Sequence, residues 1–336
     1  MSSNTKTSAA KSWHSIVSNY NKPRISRSVW QIINSVGSYF LVWIAIIQVM
    51  KFSGWLAIPL IVLAAGLLVR IFIIFHDCGH GSFFASKKLN EWLGKATGIF
   101  VFTPYYHWTD SHRQHHQTVG NLDKRGAGDV WTMTVEEYQN SKPGRKFLYR
   151  FFRHPIFMIG LAGPLLFLIY SRFTRSTMTK KQKQNIYFTN IMLLIVAAGM
   201  SWLIGWQTYL LVQIPIMAMG AIGGVYLFYF QHQYEDVTWR RNEDWNYKEM
   251  ALEGSSFFKL PLILQWFTGN IGFHHVHHLG PTIPNYNLAK CHNENPIFQS
   301  VKAFNIMDSL NALNLRLWDE KNQRIITFRE LKRMAI

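Results

Sequence analysis

Apolar and charged residues are segregated along this chain. Residues 30–50 contain no charged side chain, 52–69 contain none, and 186–233 are again uncharged throughout. A bilayer core takes about 20 apolar residues per helix, so the first two stretches each predict one membrane span. The third is long enough for two, with a break at Gly205-Trp206-Gln207. The expected architecture is an all-α integral membrane protein with two transmembrane hairpins, 30–50/55–75 and 186–205/208–230, and a cytoplasmic helical cap. Shorter apolar pieces remain. Residues 155–170 are short for a span and read as interfacial, re-entrant or a further hairpin partner. Residues 94–104 and 257–273 read as interfacial helices.

Charge sets the expected orientation. The segment before the first span holds Lys6, Lys11, Lys22, Arg24 and Arg27 and no acid. The turn between the first two spans has only Lys51, and the turn near Gly205 has no charge. Residues 76–185 carry a basic excess that includes Lys142, Arg145, Lys146, Arg150, Arg153, Lys180, Lys181 and Lys183. The positive-inside rule then puts both termini and this segment in the cytoplasm. The net charge of +17 is accounted for by orientation and by attraction to anionic headgroups. No nucleic-acid motif accompanies it, so a nucleic-acid partner is excluded. Arg70, the one charge within a span, is expected to snorkel to the interface. Cys78 and Cys291 form no disulfide framework. Residues 1–28 are polar and basic, without the apolar core of a cleavable signal.

The chemistry lies in three histidine clusters: HDCGH at 76–80, HRQHH at 112–116 and HHVHH at 274–278. His76 and His80 are spaced i, i+4. His112, His115 and His116 are spaced i, i+3, i+4, and His274, His277 and His278 repeat that pattern. Residues three and four apart share a helix face, so each cluster aims its imidazoles at one place. His275 is turned about 100° away and is left out. Neutral imidazole is the commonest metal ligand. One tetrahedral ion takes four ligands at most, so these eight suffice for two. An HExxH zinc protease is excluded, because position 77 is Asp and no Glu stands beside either His. His107, His154 and His292 fall outside the pattern and read as structural or surface residues. Trp108, Trp239, Trp245 and Trp266 read as either a channel lining or an interfacial belt.

With these boxes in place, the chain resembles the membrane fatty acid desaturases. A further match is FQHQYEDVTW at 230–239, which resembles the family segment that contributes an extra histidine, here His232. GNLDKRGAGDVW (120–131) and LGPTIPNYNL (279–288) look most like bacterial acyl-lipid desaturases. The resemblance implies a single desaturase domain over 1–336, with a tail at 1–28, a core at about 30–290 and a C-terminal region at 291–336. It also implies two iron ions held by His76, His80, His112, His115, His116, His232, His274, His277 and His278. Some family members carry an asparagine four residues before the extra histidine. This chain has Phe228 there, which leaves Asn270 or a water to fill the role.

The implied reaction is O2-dependent insertion of a cis double bond into a membrane acyl lipid. A methylene has no acidic proton, so the oxidising power must come from a cofactor. A ligating imidazole usually donates its other N–H to a carboxylate or carbonyl. Asp77, Asp110, Asp123, Asp129, Glu235 and Asp236 are candidates, with Asp129 and Trp131 first because they stand in the family-like GAGDVW segment. No heme-binding, dinucleotide or iron–sulfur motif is visible, so an external ferredoxin, flavodoxin or cytochrome is implied. The basic Lys142, Arg145 and Lys146 are its expected docking face. The alternatives are a hydroxylase or ketolase of the same superfamily, and a histidine-based metal transporter or sensor. A transporter would need ligands near mid-span, whereas these boxes follow the span ends.

Overall fold

The computed structural model describes residues 12–126 and 128–334; Lys6 and Lys11 of the expected basic tail lie outside them. Four helices are long and apolar enough to cross a membrane: Ile25–Met50, Gly54–His80, Lys180–Ile204 and Trp206–His232. They pair as the expected hairpins. The first pair turns at residues 51–53. The second turns at Gly205 alone, whose φ of 83° is open to glycine at little cost. Tyr39, Trp43, Ile46, Leu68, Ile71, Val212 and Ile216 form the packed interior between spans. Phe40, Leu41, Ile44, Leu194, Trp202 and Leu211 point outward and stay exposed, as side chains facing acyl chains should.

Two of these helices run past the expected span ends. The second continues to His80 and stops there because Gly81, at φ 70°, takes the left-handed cap position. The fourth continues to His232. The first histidine cluster and His232 therefore ride on the spans' own rigid helices. The second cluster sits on a separate helix, Tyr105–Thr118, and the third on a six-residue helix, His274–Leu279.

This arrangement decides what 155–170 can be. The second-cluster helix lies at the end of the second span, and the third span starts at the level where the fourth one ends. The chain between 118 and 180 must begin and finish on one side of the membrane. Helix Pro143–Phe152 meets Ile156–Arg172 at a bend of 58°, and the latter packs against the fourth span. Of a broken span and a re-entrant loop, the two forms such a bent pair can take, this placement favours the re-entrant loop. Lys142, Arg145 and Lys146 stand on or beside the first of these helices, next to exposed Phe147, Leu148 and Phe151. That mixture of basic and apolar residues is typical of a helix lying in the interface.

Three expectations change. Residues 257–273 do not form one interfacial helix. They hold a short strand, Phe257–Phe258, the helix Leu262–Phe267, and a left-handed turn at Gly269 and Asn270. Gly272 lets this turn press on the strand, since a Cβ there would lie 2.4 Å from the Phe258 carbonyl oxygen. The cap also contains short strands that hydropathy could not announce. Met133–Thr134 pairs in parallel with Leu317–Asp319, which pairs antiparallel with Arg324–Ile326, and Phe257–Phe258 pairs with Ala303–Phe304. At two or three residues each, they are too brief to show alternation. Arg70 does not snorkel outward. It is buried, donates to the Trp266 carbonyl and to Asn34 Oδ1, and stacks on the Trp266 ring at 4.0 Å. A buried guanidinium satisfied this way tethers the turn before the third cluster to the second span.

The helix Lys87–Phe100, which starts before the expected 94–104, delivers the chain to the second cluster through a tight contact at Gly98. A Cβ on Gly98 would stand 2.6 Å from the Thr103 carbonyl oxygen, so backbone would have to move. Gly98→Ala is expected to destabilise the protein by about 1–3 kcal/mol, the usual range for overpacking. A lower thermal midpoint of the detergent-solubilised protein checks this; an unchanged midpoint counts against the contact.

Candidate metal centre

The nine histidines named above fall into two buried groups. His76, His80, His112, His116 and His277 form one. His115, His232, His274 and His278 form the other, and within each group the candidate ligand nitrogens lie within 4.8 Å of one another. Helix geometry explains the split. His112 and His116 are one turn apart on the Tyr105–Thr118 helix and go to the first group, while His115 leans across to the second. His274 and His278 do the same on the third-cluster helix, leaving His277 for the first group.

The hydrogen bonds at the outer nitrogens set the tautomers. His115 Nδ1 lies 2.6 Å from Asp129 Oδ1, and His232 Nδ1 lies 3.0 Å from the Gly254 carbonyl oxygen. A carbonyl and a carboxylate accept, so both Nδ1 atoms donate. Each neutral ring then has only a lone pair at Nε2. Yet these two Nε2 atoms are 3.0 Å apart, His274 Nε2 is 2.9 Å from that of His232, and His278 Nε2 is 3.0 Å from that of His274. In the first group His277 and His116 approach to 3.0 Å and His116 and His112 to 3.2 Å, all at Nε2. His80 Nε2 is buried with no hydrogen-bond partner among the described residues. Facing lone pairs, as at His115 and His232, repel unless a cation lies between them. An imidazole nitrogen binds a first-row ion at about 2.0–2.1 Å, which places two nitrogens on one ion about 3.0–3.4 Å apart. The donor set fits a metal ion in each group.

Burial, and then the neighbouring imidazoles, push the pKa values of His112, His116, His274, His277 and His278 well below the ordinary histidine value. Their neutral, ligating forms are therefore favoured at neutral pH.

An apolar cavity of about 490 Å³ opens onto His76, His112, His115 and His274. That volume is in the range of small-molecule sites, about 300–1,000 Å³. Its walls come from the second span (Leu68, Phe72), the fourth span (Met217, Ala221, Phe228) and the re-entrant segment (Leu166, Phe167). A cavity that runs from membrane-spanning helices to a buried histidine centre suits a long apolar chain.

Comparison with known proteins now has a site to refer to. The fatty acid desaturase family model matches residues 53–300. The chain belongs to the fatty acid desaturase family. It is 43% identical over 320 residues to a fatty acid desaturase of Bacillus subtilis, covering 95% of this chain and 91% of that one. It is 30% identical over 253 residues to an sn-1 acyl-lipid omega-3 desaturase (ferredoxin) of a Nostoc species, covering 71% and 67%. An sn-1 oleoyl-lipid 12-desaturase of Arthrospira platensis is 27% identical over 252 residues, covering 70% and 67%. This desaturase is thus an oxidoreductase with a histidine centre compatible with metal.

Around that centre the desaturase chain places its other candidates unevenly. Asp129 touches His115. Asp77 touches His76 Nδ1 at 3.1 Å, and its other oxygen accepts from Asn285 N and Nδ2 at 2.7 and 2.8 Å. Asp110 binds Arg113 and Gln182, Asp123 binds Arg241, Asp236 binds Lys302, and Glu235 is exposed. Trp131 is not at the metal centre; it is partly exposed and packs on Tyr149. Asn270 does not reach the histidines either. Its left-handed turn directs its amide toward the Asn285 carbonyl at 3.4 Å, two hydrogen bonds removed from Asp77. Phe228 keeps the position beside His115 and His232. Of the four tryptophans only Trp108 lines the large cavity, stacked on His112 at 4.5 Å. His107 lines the cavity too, against its expected structural or surface role, whereas His154 is exposed. His275 and His292 bond each other at 3.0 Å, away from both groups.

Sequence reasoning misses Gly254, which acts through its main chain and so leaves no side-chain signal. It also misses Asn285, although that residue stands in the family-like LGPTIPNYNL. Asp129→Asn keeps the shape at His115 but removes the charge. Metal content of the purified protein is expected to fall about tenfold or more, the usual loss for such partners, while Trp131→Phe leaves it unchanged. Full metal content in Asp129→Asn would refute the role.

Proposed function

We propose that this desaturase binds two irons, one in the five-histidine group and one in the four-histidine group, and inserts a cis double bond into an acyl chain of a membrane lipid. The observation that carries the proposal is the facing of neutral Nε2 lone pairs at the inner end of an apolar, membrane-derived cavity. The irons supply the oxidising power, drawn from O2 and two electrons, to remove two hydrogens from neighbouring methylenes with formation of water.

The chain's own residues do the rest. His76, His80, His112, His116 and His277 hold one ion, and His115, His232, His274 and His278 the other. Asp77, Asp129 and the Gly254 carbonyl orient three of those rings and fix their tautomers. Phe72, Trp108, Phe167 and Phe228 grip the acyl chain and exclude water from the reacting methylenes. Electrons come from an external carrier, a ferredoxin, flavodoxin or cytochrome. Two of the acyl-lipid relatives named for ferredoxin support this reading. The basic excess of 76–185 favours termini and centre in the cytoplasm, and the Bacillus subtilis relative favours a bacterial plasma membrane. One desaturase domain covers 1–336, since the C-terminal strands pair with the core.

Expression in a bacterium of simple lipid composition, with an electron carrier supplied, tests the proposal. Gas chromatography–mass spectrometry is expected to show a new unsaturated acid that is lost in His112→Ala. The purified wild type is expected to hold about two irons per chain. A hydroxylated or oxo lipid would move the enzyme to the hydroxylase and ketolase class, and a protein without iron would remove the centre.

A further inference from the structure

The cavity lining is of two kinds. Buried Leu68, Met217 and Ala221 line it between the second and fourth spans. Its outer end is formed by exposed Tyr170 and Phe173, with Arg175, His107 and Ser171. Arg175 is the one charged side chain of basic type in the lining. Its guanidinium stacks on Tyr170 at 4.0 Å and has no carboxylate partner among the described residues. The acid of the lining, Asp129, is engaged with His115, and Asp110, which acts on His107, is engaged with Arg113 and Gln182. No acid occurs from Arg172 to the end of the third span, while Lys180, Lys181 and Lys183 begin that span. The mouth is therefore cationic and lies where a span starts, at the level of lipid headgroups.

We infer that Arg175, with His107 beside it, is a subsite for the phosphodiester of a glycerophospholipid whose acyl chain occupies the cavity. This rests on the desaturase reading and adds what the enzyme recognises outside the chain. A planar guanidinium takes two phosphate oxygens at once, and stacking on Tyr170 holds it ready. Burial, and then the Arg175 charge, push the His107 pKa down. His107 is thus a neutral donor suited to a phosphate or ester oxygen. The second acyl chain of such a lipid needs a way to stay in the bilayer. Leu166 is partly exposed and Val225 half-buried on the cavity wall, which leaves that side open to lipid.

The test is native mass spectrometry of the full-length protein offered phosphatidylglycerol, the matching diacylglycerol, the free fatty acid or the acyl-coenzyme A. Wild type is expected to retain phosphatidylglycerol at least tenfold better than diacylglycerol. Arg175→Gln loses that preference, Arg175→Lys recovers part of it, and Arg113→Gln, on the same side but paired with Asp110, keeps it. Iron content equal to wild type shows that the Arg175 variants fold. Equal retention of phosphatidylglycerol by wild type and Arg175→Gln overturns the subsite. So does displacement of phosphatidylglycerol by equimolar fatty acid or acyl-coenzyme A, which would make the ligand a carboxylate or a thioester carrier. Binding is read without turnover. Absence of any double bond in cells would thus strike the desaturase reading alone.

Discussion

The structure depends on a repulsion. Imidazole nitrogens with lone pairs are held about 3 Å apart in the protein interior, which is tolerable only with positive charge between them. Everything nearby serves to maintain that placement. Asp129 and Gly254 force His115 and His232 to present lone pairs inward, and Asp77, braced by Asn285, does the same for His76. Burial disfavours the protonated rings of His112, His116, His274, His277 and His278. The centre is therefore a donor set shaped to be compatible with metal.

Membrane geometry follows from the same requirement. The nine histidines come from the end of the second span, the end of the fourth, and two short helices that belong to neither. Two span ends must meet on one side of the bilayer, and the apolar segment between them is obliged to dip and return. The cavity is a by-product of that dip, since the re-entrant wall leaves a gap against the second and fourth spans. Substrate access and metal binding thus share one architectural cause.

The spans and eight of the imidazoles are legible in the sequence because both follow simple patterns, whereas His232 is reached only through the family resemblance. An uncharged run of span length is hard to house anywhere but in a bilayer, and i, i+3, i+4 histidines can converge on a helix. What escapes is non-periodic or long-range. The strand pairing of Met133 with Leu317 joins distant parts of the chain with two residues on the shorter strand. By spacing Asn270 stands one helical turn from His274, but Gly269 and Asn270 adopt left-handed backbone and break that helix. Trp131 shares a motif with Asp129 yet packs elsewhere, because its ring lies against Tyr149 rather than a histidine. Arg70 has the sequence position of a snorkelling cation, and the carbonyl that satisfies it belongs to residue 266.

Arg153 reads in the sequence as one more orienting charge, yet it is fully buried. Its guanidinium bonds Gln233, next to ligand His232, and the Leu315 carbonyl, while Gln233 in turn holds Thr132, just beyond Asp129 in the chain. The support for His115 is thereby stitched to chain that leaves the ribosome long after His115 itself. Leu315 is synthesised after all four spans, so this brace of the histidine centre can form only once the C-terminal region has been made.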